Sequence, residues 1–122
     1  MSAKDLFHNA VKHALEKDGW AITHDPFPLS MDDINMAIDL GAEKLIAAEK
    51  GTRKIAVEIK SFVGASNITE FHTALGQFLN YQIALESKEP DRVLYLAVPS
   101  DTFKEFFIFP FIQAVIQRHR LR

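Results

Sequence analysis

Three residues in the middle of the chain have the types and the spacing of a metal-assisted hydrolytic site. Asp39 lies in an alternating stretch with Met36, Ile38 and Leu40, and the next such stretch carries Glu58 and Lys60. Residues two apart on a strand share a face and stand roughly 7 Å apart. If the two strands pair antiparallel, Asp39 can reach the face that holds Glu58. Two carboxylates there would bind Mg²⁺ or Mn²⁺, and Lys60 could orient or help deprotonate an attacking water.

A plainer interpretation competes with this one, because charged residues alternating with Ile and Val occur on any half-exposed strand. Glu58 and Lys60 would then be the solvated face of a small α/β binding module, and a Glu-x-Lys spacing often arises by chance. Context favours the site, since the Glu58 strand follows the Asp39 strand and precedes a helix with almost no charge. We therefore predict Asp39, Glu58 and Lys60 as catalytic residues, with Asp39 and Glu58 as the metal ligands.

Length and composition restrict the class of protein. The chain has 122 residues, 48% of them hydrophobic and 25% charged, which predicts one domain over residues 1–122. It has no cysteine, which excludes a disulfide scaffold, a thiolate zinc site and a Cys nucleophile. A net charge of −2 is atypical of a nucleic-acid coat protein but compatible with a metal-dependent enzyme acting on phosphodiesters. Without a signal segment or a membrane-length apolar stretch, we expect a cytoplasmic protein.

The elements that must position the site are predicted in the order α-β-β-β-α-β-α. Hairpins followed by a crossover helix imply a mixed β-sheet flanked by helices. The first helix begins with the capping pair Ser2 and Asp5 and stops at Gly19. The second predicted helix covers 68–85, and the final helical region consists of two short pieces, 102–107 and 110–118, broken at Pro110. The predicted strands cover 20–24, 35–40, 54–62 and 92–98. Strand 92–98 is expected to be central because it is almost continuously apolar.

Smaller features are predicted between these elements. The prolines of 25–28 should end the first strand, and Gly41 suggests a bend or bulge. Residues 45–48 should continue the second strand or form a separate piece, and 50–52 should form a turn.

The helix predicted over 68–85 has an unusual distribution of charge. Between Glu70 and Glu86 the only residue that can carry charge is His72, so the helix should be covered on both sides or line a site. Its predicted apolar face holds Ile68, Phe71, Leu75, Phe78, Leu79 and Ile83. The opposite face holds Thr73, Ala74, Gln77, Tyr81 and Ala84.

Half of the ten Phe residues lie between Phe103 and Phe111. We favour core closure over one face of the sheet. The alternative is a surface patch that pairs with a second copy of the chain or with another protein.

The order of elements and the Asp, Glu-x-Lys pattern resemble the core of the PD-(D/E)xK nuclease superfamily, the restriction-endonuclease-like α/β fold. The resemblance implies that Asp39 and Glu58 bind Mg²⁺ and that Lys60 assists the water. Gln77 and Tyr81 resemble a Q-x-x-x-Y element of some branches, which puts both on one helical face. Many branches add a Glu ligand on the first helix, where the comparable turn here offers His8. Ile38 stands where the signature has Pro.

Nearly the whole chain is similar to one family, XisH, the fdxN element excision controlling factor of cyanobacteria. The similar stretches are AKDLFHNAVKHALEKDGWAITHDP, IDLGAEKLIAAEKGTRKIAVEIKSFVG, ALGQFLNYQIAL and LYLAVP. The resemblance implies a role in excising a DNA element, which a separate site-specific recombinase performs, and an XisI-type partner protein. DNA is then a further partner. The alternative is a non-catalytic regulator that keeps a nuclease-derived fold and binds the recombinase, the XisI-type protein or DNA.

Overall fold

The computed structural model describes residues 2–46 and 51–122, which form a mixed β-sheet with helices on both faces. This confirms the predicted class of fold. The order of elements agrees roughly with the prediction, with the strand region divided more finely. The elements are α1 (Ala3–Lys17), β1 (Ala21–His24), β2 (Phe27–Met31), β3 (Ile34–Ile38), β4 (Leu40–Ile46), β5 (Gly51–Ile59), α2 (Asn67–Lys88), β6 (Arg92–Ala97), α3 (Ser100–Glu105) and α4 (Pro110–His119).

The main sheet has the strand order β1-β4-β5-β6, and β2 and β3 form a separate hairpin. Strands β1, β4 and β5 pair antiparallel, whereas β5 and β6 are parallel and connected by α2. The prediction that 92–98 is central was wrong, because β6 is the edge of the described sheet. Its apolar run reflects cover on both faces: Leu94 packs on the α2 side and Val93 on the α1 side.

The strand predicted over 35–40 is interrupted at Asp39: β3 ends at Ile38, and Leu40 begins β4. A bend or bulge was expected at Gly41. The break in the strand falls two residues earlier, but the register irregularity opposite Gly41, between Ile22 and His24 of β1, agrees with the expected bulge. Residues 47–50 lie outside the described ranges. The end of the predicted 45–48 piece and Lys50 of the predicted turn therefore lie outside them as well. The rest of that turn, 51–52, belongs to β5.

Strand β2 was missed because it contains Pro28, and a proline usually ends a strand. The proline is tolerated because β2 belongs to a two-stranded hairpin, where Pro28 pairs with Ala37 and remains exposed. The hairpin buries Phe27 and Leu29 in the core on the α2 side. It therefore holds the chain that leads to Asp39.

Helix α1 begins as predicted, with Ser2 and Asp5 forming a reciprocal capping box. Its partly buried side chains Val11 and Leu15 pack on the β5 residues Ile55 and Val57. Gly19 follows the helix with a φ of +91°, a conformation that glycine adopts without strain. The helix therefore lies across one face of the sheet, with its first turns beside the end of β5.

Helix α2 covers the opposite face, with Phe71 and Phe78 of the predicted apolar side but otherwise with residues assigned to other positions. Its buried side chains are Phe71, Ala74, Phe78, Tyr81, Ala84 and Leu85. Ile83 is 67% exposed, so the predicted face was rotated. The small Ala74 and Ala84 let the helix approach the sheet closely, and this inward side also carries Tyr81.

The aromatic segment near the C-terminal end is partly buried and partly exposed. Phe106 and Phe107 are buried against Phe62 and Phe71, which confirms core closure for these two. The other three aromatic side chains are more than half exposed, namely Phe103, Phe109 and Phe111.

Gly41→Ala should lower the free energy of unfolding by about 1–3 kcal/mol, because its new methyl group overpacks a full core. A Cβ there would lie 2.8 Å from the Phe27 ring. Gly76→Ala is the matched control, since a Cβ in that helical position meets nothing within 4 Å. The control should gain roughly 0.5–1 kcal/mol from helix propensity. Urea denaturation of both variants measures the difference, and equal effects would contradict the assigned packing.

Candidate metal centre

A polar cavity of about 310 Å³ opens at the end of β5, between the first turns of α1 and α2. All three predicted catalytic residues line it, together with His8 and Gln77. The complete lining consists of Lys4, Asp5, His8, Asp39, Glu58, Ile59, Lys60, Ser61, Glu70 and Gln77. The fold thus brings together side chains from four segments that are distant in sequence.

Asp39 occupies the bend between β3 and β4, whereas the sequence placed it within a strand over 35–40. Its neighbours Ile38 and Leu40 are fully buried and fix the backbone on both sides. The Asp39 Oδ2 atom accepts a hydrogen bond of 2.7 Å from the backbone N–H of Ile59. In return, the Asp39 N–H donates to Oε1 of Glu58 at 3.3 Å. Side chains thus replace the strand-to-strand backbone pairing at this bend and hold the two acids together.

Glu58 is almost completely buried, with 5% of its surface exposed. The pKa of its carboxyl group is raised to about 8, first by burial, then by the Asp39 charge and by a hydrogen bond to the Asp39 side chain. The backbone hydrogen bond from Asp39 and the Lys60 charge act in the opposite direction. Near neutral pH, Glu58 therefore tends to keep a proton beside Asp39. A cation at the same place would compete with that proton for the carboxylate oxygens.

Lys60 lies just beyond β5, on the same side as Glu58, as the alternation predicted. Its backbone N–H donates to the carbonyl of Ala97 at 2.9 Å, which fixes the start of its side chain. Its ammonium lies 3.5 Å from Oε2 of Glu70, and both side chains are 21% exposed. Lys60 is thus a partly buried cation between two acidic groups.

The three supporting residues lie around the pair in different ways. His8 lines the cavity, while its Nε2 atom lies 3.0 Å from Oδ1 of Asp25. Gln77 also lines it, and its buried Oε1 has no hydrogen-bond partner among the residues that the structure describes. Tyr81 is buried, and its pKa is raised by burial and then by the charges of Glu58 and Asp39. The phenol is therefore within electrostatic range of both acids.

Two acidic residues of the cavity were missed in the sequence. Asp5 was interpreted only as a helix cap, and Glu70 only as the start of an uncharged helical segment. A signal for Glu70 was present, because a crossover helix after a parallel strand begins at that strand's carboxyl end. An acid in the first turn of such a helix therefore lies close to a site at the end of β5.

The donor set fits a hard divalent cation that keeps most of its water. Asp39 and Glu58 offer carboxylate oxygens, and the unpaired Oε1 of Gln77 offers an amide oxygen to a cation or to its water. Within 2–46 and 51–122, no three His, Cys, Asp or Glu side chains are grouped to enclose a metal ion. Mg²⁺ is commonly held through one or two carboxylates with several waters retained. A pair is therefore sufficient for this cation.

Comparison with known proteins identifies the family. A family model described as XisH protein matches residues 1–122. The chain belongs to the XisH family. An XisH family protein from Nostoc punctiforme PCC 73102 is 50% identical, with a TM-score of 0.85, and the match covers 94% of this chain and 85% of that one. Comparison with curated proteins gave no match.

A second solved relative carries a functional name. It is an fdxN element excision controlling factor protein from Anabaena variabilis, 51% identical, with a TM-score of 0.85. The match covers 96% of this chain and 86% of that chain. The predicted resemblance to XisH is thus confirmed. Among helices of the described ranges, none is long and apolar enough to span a bilayer.

Proposed function

We propose that this XisH-family chain controls excision of a DNA element by site-specific recombination, and that it acts through a nuclease-like, Mg²⁺-binding site. The name of the Anabaena variabilis relative supports the first part. The second part rests on one observation, the buried Glu58 carboxyl group held against Asp39 at the end of β5. Burying one carboxylate beside a second one is unfavourable unless a proton or a cation compensates the charge.

The arrangement corresponds to the parts of a PD-(D/E)xK centre. Asp39 and Glu58 would hold Mg²⁺ or Mn²⁺, which when bound polarises a phosphoryl oxygen and offsets the charge that develops on it. The Lys60 ammonium lines the same cavity and would orient the attacking water or help remove its proton. His8 and Gln77, from α1 and α2, would bound the space that receives the phosphodiester.

The test of catalysis uses purified protein with Mg²⁺ or Mn²⁺, with RNA and with DNA in supercoiled, linear and single-stranded form. We expect cleavage by the wild type and none by Asp39→Ala or Glu58→Ala, because these variants lose the cation. Lys60→Ala should still bind Mn²⁺ in a calorimetric titration but lose turnover, by about 100-fold or more. If the wild type cuts neither DNA nor RNA of any topology, catalysis is not its role.

A specific observation favours a second candidate, a non-catalytic regulator that binds a recombinase or an XisI-type protein. Phe103, Phe109 and Phe111 expose large apolar surfaces in the α3–α4 region. Normal excision by an Asp39→Ala/Glu58→Ala double variant, together with retention of the recombinase in a pull-down, would support this candidate. Loss of excision with retention of the partner would support the metal site instead.

A further inference from the structure

We propose that Glu70 is a positioning residue that holds the Lys60 ammonium aside, so that the Asp39–Glu58 pair stays open to a divalent cation. This inference rests on the proposed metal site and assigns it an additional residue. Glu70 does not join the acidic pair. It acts on the pair through Lys60.

The contact that carries the inference is the partly buried ion pair between Glu70 and Lys60. The Oε2 atom of Glu70 lies 3.5 Å from the ammonium, and both groups line the same cavity as Asp39 and Glu58. Only about a fifth of each side chain is exposed. Solvent and salt therefore screen this pair less than they screen a surface pair.

The other side of the Glu70 carboxylate borders the loop between β5 and α2. A Cβ atom at Gly64 would overlap Oε1 of Glu70, so glycine leaves the space that this carboxylate occupies. The start of α2 is fixed as well, because the Ser66 hydroxyl accepts the N–H of Thr69. The Glu70 carboxylate thus lies between the loop and Lys60.

An ammonium without Glu70 would have another anionic partner close by. Lys60 follows Glu58 by two residues on the same side, and its charge already acts on Glu58. Released from Glu70, the flexible side chain would pair with the Asp39–Glu58 acids. The Lys60 ammonium would then cancel part of the negative charge that attracts a cation, and it would occupy the position of that cation. Glu70 offers Lys60 a competing partner within the cavity.

The experiment is a Mn²⁺ titration followed by electron paramagnetic resonance, which measures binding without any assay of cleavage. The variants are Glu70→Gln, which keeps the side-chain shape, and Glu70→Gln/Lys60→Met. Glu86→Gln, an exposed change on the same helix, is the control. We expect Glu70→Gln to weaken Mn²⁺ binding about tenfold, as changes next to a metal ligand do. The double variant should recover wild-type affinity, because no ammonium remains to compete.

Gly64→Ala supplies a second, independent change that keeps every charge. Its methyl group displaces the Glu70 carboxylate, so we expect weaker Mn²⁺ binding, and no such effect in a Lys60→Met background. Unchanged affinity in Glu70→Gln, or a double variant as weak as the single one, would overturn the inference alone. A wild type that binds no Mn²⁺ would overturn the proposed metal site and this inference with it.

Discussion

Arg92→Ala is expected to lower the free energy of unfolding by about 2–5 kcal/mol, the range for truncating a large buried side chain to alanine. Arg92 is 4% exposed at the start of β6, and its guanidinium connects several parts of the fold. It donates 2.9 Å to the carbonyl of Ile55 in β5, and it lies 4.6 Å from the centre of the Phe27 ring. It also donates to Glu89 at 3.2 Å, before β6 begins. One side chain thus ties the hairpin to the sheet.

Most of this stabilisation should come from packing and from the carbonyl hydrogen bond, not from the ion pairs. Glu89 and Glu43 are each about a third exposed, and such pairs contribute about 1 kcal/mol or less. Arg92→Met, which keeps apolar contact with Phe27, should therefore lose less than Arg92→Ala. Urea denaturation measures all of these changes. A Glu43→Gln/Glu89→Gln variant as unstable as Arg92→Ala would show that the ion pairs matter most.

The convergence of Asp39 with Glu58 and Lys60 was predictable because it follows from the period of a strand. Apolar residues at Ile55 and Val57 had to face one core, which placed Glu58 and Lys60 on the opposite side. Antiparallel pairing of neighbouring strands then placed the Asp39 region beside Glu58. The structure agrees on these points, and pairs Leu40 with Val57.

Other features depended on contacts that a local pattern does not contain. The division at Asp39 results from two side-chain hydrogen bonds to the next strand, so a pattern of alternating residues cannot show it. The buried face of α2 was misassigned because Ile83 is more apolar than Ala84, whereas close approach to the sheet selects the smaller residue. Glu70 was missed because its place at the site follows from the crossover topology, not from the local pattern of α2. Hydropathy thus identified the elements, and long-range packing decided their faces and their breaks.

Glu58→Gln is expected to stabilise the protein at high pH and to leave its stability unchanged near pH 4. Folding raises the pKa of Glu58 from its ordinary 4.5 to about 8. Between these values the folded state binds more protons than the unfolded state, so the free energy of unfolding falls as pH rises. The fall is complete above pH 8 and amounts to at most about 5 kcal/mol, at 1.36 kcal/mol for each pKa unit. Glutamine remains neutral, so the variant avoids the loss.

Urea denaturation of both proteins between pH 4 and pH 9, without divalent cations, measures this difference. Taking the difference between Glu58→Gln and the wild type removes the contribution of titrating groups that do not interact with Glu58. Glu105→Gln, an exposed change on α3, is the control and should give parallel curves. Parallel curves for Glu58→Gln as well would mean that Glu58 is not a buried acid beside Asp39.

The same variant separates the buried acid from its proposed cation. At pH 8, Mg²⁺ at 100 times its dissociation constant should stabilise the wild type by about 2.7 kcal/mol, since it binds only the folded state. Glu58→Gln should gain almost nothing, because it lacks one of the two carboxylates. Affinity should also rise as pH approaches 8, because binding requires the loss of the Glu58 proton. If stability depends on pH as expected but does not respond to Mg²⁺, Glu58 is a buried acid beside Asp39, and the proposed metal function is contradicted.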